Sequence, residues 1–145
     1  MHFVMHEDVA ASRKTIWKFL ADPANYRGFM DGLTGWSPVG ETRRGVGTRF
    51  RLRMRIGPVD LGELIEVVEF DPPADLAWIG VRGVDHRGRW RLRESEDGRT
   101  HVQLRITFHT PGGVAAWLAD RAATPIAERH FRRSLAALKR RIEEG

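Results

Sequence analysis

The chain is expected to fold as an α+β domain in which a curved antiparallel sheet of seven strands wraps one long C-terminal helix, with two short helices between the first two strands. Two observations carry this expectation. Three segments, Thr48–Ile56, His86–Glu94 and Thr100–His109, alternate apolar and polar residues one by one, the signature of half-buried strands. Towards the C-terminus the period changes, and Phe131, Leu135, Leu138 and Ile142 recur at helical spacing on one face.

The elements follow in order. Phe3–Ala11 reads as a strand with Phe3, Met5, Val9 and Ala11 on one face. Ser12 suits an N-cap for a short helix over Arg13–Leu20, whose apolar side is Ile16, Trp17 and Leu20. Asp22-Pro23 breaks that helix and starts a second short one through Tyr26. Trp36–Thr42 reads as a strand, then Thr48–Ile56, and Gly57-Pro58 as a turn into Leu61–Phe70. Leu76–Arg82 and His86–Glu94 come next. Asp97-Gly98 is a hairpin signal before Thr100–His109. Pro111-Gly112-Gly113 ends the sheet, helical periodicity begins at Val114, and a kink or break is expected just before Pro125. Short turns between consecutive strands imply antiparallel pairing.

The 145 residues fit one domain, taken as 1–145, and suffice to bury a core without staples. There is no cysteine, which excludes disulfides, thiol catalysis and cysteine-ligated metal. The N-terminal stretch lacks the pattern of a signal peptide, and no apolar run has the length of a membrane span. A soluble, cytoplasmic protein without integral membrane association is expected, as monomer or weak homodimer. The net charge is +5 and the pI about 10.6. Of 24 basic residues only Lys14, Lys18 and Lys139 are lysines.

One amphipathic helix does not fill the concave face of a wide sheet, so space remains beneath it unless large side chains occupy it. Strand parity places Phe50, Leu52, Met54, Leu64, Val68, Phe70, Trp78, Trp90, Leu92, Leu104, Ile106 and Phe108 inward, and Trp117, Ile126 and His130 lie on the helical segment above them. The pattern leaves two readings open: these residues line a ligand cavity, or they fill the interior.

Chemistry-bearing residues are few. His86 shares the inward face of its strand with Trp90 and suits an acid–base role; the plainer reading is a solvated histidine at the strand's start. Glu66 shares parity with Leu64, Val68 and Phe70; a bulge would turn it outward instead. Arg82 shares parity with Trp78 and would meet an anionic ligand group, or it is an exposed strand end. No metal site is expected: His2 and His6, and likewise His101 and His109, are distant along their strands, and no HExxH stands in the sequence. No nucleotide fingerprint or nucleophile motif appears, so no cofactor is expected.

Several segments resemble the START-like, polyketide cyclase/dehydrase superfamily (SRPBCC, helix-grip fold). They are Val9-Ala10-Ala11-Ser12, Ile16-Trp17, Asp22-Pro23-Ala24-Asn25-Tyr26, Gly45-Val46-Gly47-Thr48-Arg49-Phe50, Glu66-Val67-Val68-Glu69-Phe70-Asp71-Pro72-Pro73, Gly88-Arg89-Trp90-Arg91-Leu92 and Asp97-Gly98-Arg99-Thr100. These are turns, caps and core positions rather than catalytic residues. The resemblance implies an internal cavity and a hydrophobic small molecule or lipid as ligand, bound or transported. The alternative it implies is a polyketide cyclase or aromatase acting in the same cavity.

Arg49, Arg51, Arg53 and Arg55 share one strand face, and Arg87, Arg89, Arg91 and Arg93 another. Nucleic-acid-binding sheets interleave aromatics among such residues, and none stands here, so a solvated outer face and no nucleic-acid partner are expected. Association of copies through that face is the remaining reading.

Overall fold

The computed structural model describes residues 1–109 and 123–145. Trp117, the Pro111–Gly113 sheet end and the start of helical periodicity at Val114 lie outside the described residues. Seven strands form one antiparallel sheet: β1 (His2–Val9), β2 (Leu33–Val39), β3 (Arg49–Ile56), β4 (Val59–Asp71), β5 (Asp75–Arg82), β6 (His86–Glu94) and β7 (Thr100–Phe108). Their order is β1-β7-β6-β5-β4-β3-β2, so every pair but β1–β7 is consecutive in sequence.

Local chemistry explains the boundaries. Ser12 caps α1 (Arg13–Ala21), its hydroxyl accepting the Thr15 N–H at 3.2 Å. Asp22 accepts the Ala24 N–H at 3.0 Å and opens a 3-10 helix over Pro23–Gly28. Asp97 and Gly98 both take positive φ, 55° and 73°, which reverses the chain into β7. β2 starts earlier than its sequence suggests, at Leu33 rather than Trp36, and ends at Val39 rather than Thr42.

The C-terminal helix, α2 (Ala123–Glu144), buries Ala123, Ala127, His130, Phe131, Ser134, Leu135 and Leu138. Their spacing keeps them on one stripe, and that stripe lies against β1. Pro125 is the third described residue of the helix, and the residues before Ala123, where the expected kink or break would fall, lie outside the described residues. Phe3, Met5, Leu92, Val102 and Leu104 are closed off with Phe131, Leu135 and Leu138 in one core. Each such side chain contributes about 1.5–3 kcal/mol by leaving water.

β4 is the irregular strand. Against β3 it keeps unbroken register from Arg49↔Glu66 to Ile56↔Val59. Against β5 it slips twice, around Val68 on β4 and Val81 on β5. Each slip inserts an extra residue, and each extra residue is an exposed valine.

A candidate ligand cavity with one polar corner

Among the described residues, the helix packs chiefly against β1 and only lightly against β3, towards the other half of the sheet. There a cavity of about 110 Å³ is lined mainly by Tyr26, Met30, Leu33, Trp36, Phe50, Leu52, Met54, Ile56, Leu61, Ile65, Val67, Phe70, Leu76 and Trp78, with Ile106, Phe108 and Phe131 closing it from the core side. Cavities of roughly 150 Å³ take up benzene-sized molecules. One wall is a stack of rings. Trp36 lies parallel to Phe50 at 4.4 Å between centroids, Tyr26 stacks on the other flank of Trp36 at 5.3 Å, and the Trp36 N–H donates to the Pro23 carbonyl at 2.8 Å. The Tyr26 hydroxyl donates to the Leu20 carbonyl, and burial pushes its pKa far up, so it stays a neutral phenol. Arg43, Arg44 and Gly45 border the cavity near Phe70, with the Arg44 guanidinium over the Phe70 ring at 5.4 Å.

Of the residues expected to line a cavity, Phe50, Leu52, Met54, Phe70, Trp78, Ile106 and Phe108 do so. Leu64 and Val68 do not. The Val68 bulge flips the parity of β4, so the inward residues below it are Leu61, Glu63, Ile65 and Val67 instead. Trp90, Leu92 and Leu104 face inward but are wholly buried in the packed half of the core, where the helices reach them. Ile126 and His130 are not lining residues; His130 is buried against Asp31, its Nδ1 3.6 Å from Asp31 Oδ2. Burial holds its pKa below the usual histidine value, with Asp31 pulling the other way.

The same bulge relocates the chemistry. Glu66 points outward and pairs with Arg49 at 2.6 Å. Arg82 is an exposed strand end opposite Leu64. His86 does line the cavity, and the carboxylate beside it is Glu63, whose parity is opposite to that of Phe70 along an unbroken strand. His86 Nδ1 stands 2.9 Å from Glu63 Oε1 and 3.0 Å from the Val84 carbonyl. The hydrogen-bonding geometry is met towards Val84, whereas Glu63 Oε1 has no donor in line with it. On the other side of the ring, Nε2 accepts the Trp78 indole N–H at 3.2 Å.

Two glycines make this corner possible. A Cβ on Gly80 would stand 2.0 Å from the Val84 carbonyl oxygen and 2.8 Å from His86 Nδ1. A Cβ on Gly88 would stand 2.0 Å from the Trp78 ring. Burial pulls the His86 pKa down, but the Glu63 carboxylate, the Val84 carbonyl and Asp85 more than reverse it, and the net direction is up. Accepting the Trp78 N–H requires a neutral ring with its proton on Nδ1. Protonation at Nε2 removes that acceptor and leaves an imidazolium beside Glu63.

Sequence reasoning also missed His6 and His101. They lie on different strands, and the β1–β7 pairing brings His6 Nδ1 to 2.8 Å from His101 Nε2 on the exposed face. Among the described residues, no group of three or more His, Asp or Glu side chains is disposed to hold a metal ion, and no helix is long and apolar enough to cross a membrane.

A seven-stranded sheet about a C-terminal helix, with an apolar cavity between them, is the helix-grip fold seen in START-like structures. The family model described as polyketide cyclase/dehydrase and lipid transport matches residues 1–143, and the chain belongs to that family. Solved structures share the fold. The Zhui aromatase/cyclase from a Streptomyces species is 20% identical, over 99% of this chain and 94% of that one, with a TM-score of 0.81. A Thermus thermophilus protein is 16% identical over 98% and 97%, with a TM-score of 0.81. A START superfamily protein from Mycobacterium smegmatis is 16% identical over 99% and 97%, with a TM-score of 0.77. At these identities the likeness is one of fold. The search of curated proteins finds no match.

Proposed function

We propose that the protein binds an apolar small molecule, with a ring system or a lipid tail, in the cavity between β3–β5 and the helices. The observation that supports this most is the wall itself: stacked Tyr26, Trp36 and Phe50, with aliphatic side chains opposite and one polar corner. Apolar clefts with a few convergent polar groups are the usual form of ligand sites. Lipid transport in the family's description supports carriage as one form this activity would take.

The polar corner supports a second reading, in which the cavity acts on its ligand as the aromatase/cyclase neighbour's name describes. Neutral His86 would accept a proton from a ligand carbon or hydroxyl at Nε2 once the ligand displaces the Trp78 N–H from it, Glu63 would stabilise the resulting imidazolium, and the walls would hold a flexible chain in a reactive shape. No covalent intermediate is called for in that reading.

Native mass spectrometry of freshly purified protein tests the first reading by revealing a retained ligand. Titration with an environment-sensitive apolar dye adds a functional arm. Saturable binding that Leu52→Trp abolishes by filling the cavity is expected. Non-saturable binding, or binding indifferent to Leu52→Trp, would place the dye elsewhere and overturn the reading. On a substrate so identified, His86→Ala should lower turnover far more than affinity if the second reading holds.

A further inference from the structure

Glu63 sets a requirement on the ligand. Its side chain is 8% exposed and, with His86, forms the polar corner of a mainly apolar cavity wall. Buried carboxylates are normally satisfied by several donors, because leaving one short costs more than a typical hydrogen bond gains. Here His86 is the one charged neighbour the described residues place beside it, and none of them directs a hydrogen bond at the buried Oε1. His86 Nδ1 is within ion-pair distance but directs its hydrogen bond to Val84. His86 Nε2 is taken up by Trp78. Of the arginines on the cavity wall, Arg44 stands over Phe70, seven residues along β4 from Glu63.

Resting on the proposed cavity function, we infer that Glu63 selects ligands that carry a neutral hydrogen-bond donor, a hydroxyl or N–H, on an otherwise apolar frame. The ligand's donor would complete the carboxylate's shell at the polar corner while its rings or chain lie along Phe50, Ile65 and Val67. By the same argument the corner rejects a ligand whose terminus is itself a carboxylate or phosphate, since like charges in a buried site repel with little screening. An ether or bare hydrocarbon of the same shape would be accepted by the walls and leave Glu63 unsatisfied. Sites built to bond a ligand hydroxyl discriminate strongly against analogues without it.

Three probes of one shape test this: 2-naphthol, 2-methoxynaphthalene and 2-naphthoate, measured by displacement of a cavity-bound fluorescent dye from the intact chain. The wild-type protein should bind 2-naphthol about tenfold or more tighter than 2-methoxynaphthalene, with 2-naphthoate weakest, the scale set by a hydrogen bond to a charged group. Glu63→Met should bring the naphthol and methoxynaphthalene affinities together. Glu63→Gln, which keeps shape and removes charge, should relieve the exclusion of 2-naphthoate and serves if the Met variant does not fold. Equal wild-type affinity for the first two probes would overturn this inference while leaving the cavity reading standing. Preference for 2-naphthol that persists in both variants would do the same. Failure of every probe to displace the dye would overturn both.

Discussion

Trp78 lies flat across Gly88, its partner on β6, in the space where any other residue would carry its Cβ. The indole is thereby aimed so that its N–H reaches His86 Nε2 at 3.2 Å. Gly88→Ala should therefore displace the ring rather than fit beside it, because the contact is with a ring and not with the end of a flexible chain. Overpacking of this kind costs about 1–3 kcal/mol. A melting-temperature drop together with altered tryptophan fluorescence is the expected outcome. An unchanged melting temperature would mean that the indole has room the structure does not show.

The two buried histidines should oppose each other in the pH dependence of stability. His86 has a folded pKa above its unfolded value of about 6.5. The protonated form is favoured in the fold, so its stabilisation is full below pH of about 6.5 and is lost as pH rises through the folded pKa. His130 has a folded pKa below the same reference. Its neutral form is favoured, so its contribution is full above pH of about 6.5 and is lost as pH falls through the folded pKa. Thermal melts from about pH 5 to pH 8 check this. His130→Gln should leave a protein whose stability falls more steeply with rising pH than the wild type, and His86→Gln the reverse. Parallel curves for all three proteins would contradict both assignments.

The helix should dock through the stripe centred on Leu135, which is 2% exposed beside Phe131 and Leu138. Leu135→Ala should cost about 2–5 kcal/mol. Leu135→Asp should prevent folding altogether, since it places an unpartnered charge against β1. Circular dichroism at room temperature separates the outcomes, and a folded Leu135→Asp protein would show that α2 is held by another face.

Regular strands were legible in the sequence and the site was only partly so. β3, β6 and β7 carry no bulge, and their alternation gave the inward residues Phe50, Leu52, Met54, His86, Ile106 and Phe108 correctly. β4 misled because parity counted back from Phe70 crosses the bulge at Val68, which put Leu64 and Glu66 in Glu63's place. A signal for the right answer was present. Gly57-Pro58 is a two-residue turn, and a two-residue turn fixes hairpin register, setting Ile56 opposite Val59 and hence Leu52 opposite Glu63. Periodicity also cannot say which half of an inner face a helix will cover, which is why Trp90, Leu92 and Leu104 went to the core and not to the cavity. The His6–His101 contact depends on β1 pairing with the last strand, a relation no local pattern contains.

The arginine-rich outer face is neutralised from within the sheet, and Asp75 is the centre of that neutralisation. Its carboxylate, 13% exposed, lies 3.4 Å from Arg89, 3.2 Å from Arg91 and 3.3 Å from Arg93, while Arg89 also bonds Glu69. Although partial burial acts to raise its pKa, Arg91 and Arg93 hold the carboxyl below the usual aspartate value. The stability it contributes is present above the unfolded pKa and lost as pH falls through the folded one. Asp75→Asn should destabilise the fold at neutral pH and much less in strong acid, where the wild-type carboxyl is protonated as well. The wild-type face should bind duplex DNA or single-stranded RNA only weakly, with the affinity gone near physiological salt, because Arg49, Arg53, Arg89, Arg91 and Arg93 are already paired with carboxylates and no aromatic side chain interleaves the two arginine stripes to offer a base a stacking surface. Asp75→Asn leaves Arg91 and Arg93 without a carboxylate partner and Arg89 with Glu69 alone, and should raise low-salt affinity without creating sequence preference. Fluorescence anisotropy with labelled oligonucleotides at two salt concentrations reads both effects. Tight, sequence-selective binding by the wild type at physiological salt would mean that the outer sheet is a recognition surface in its own right.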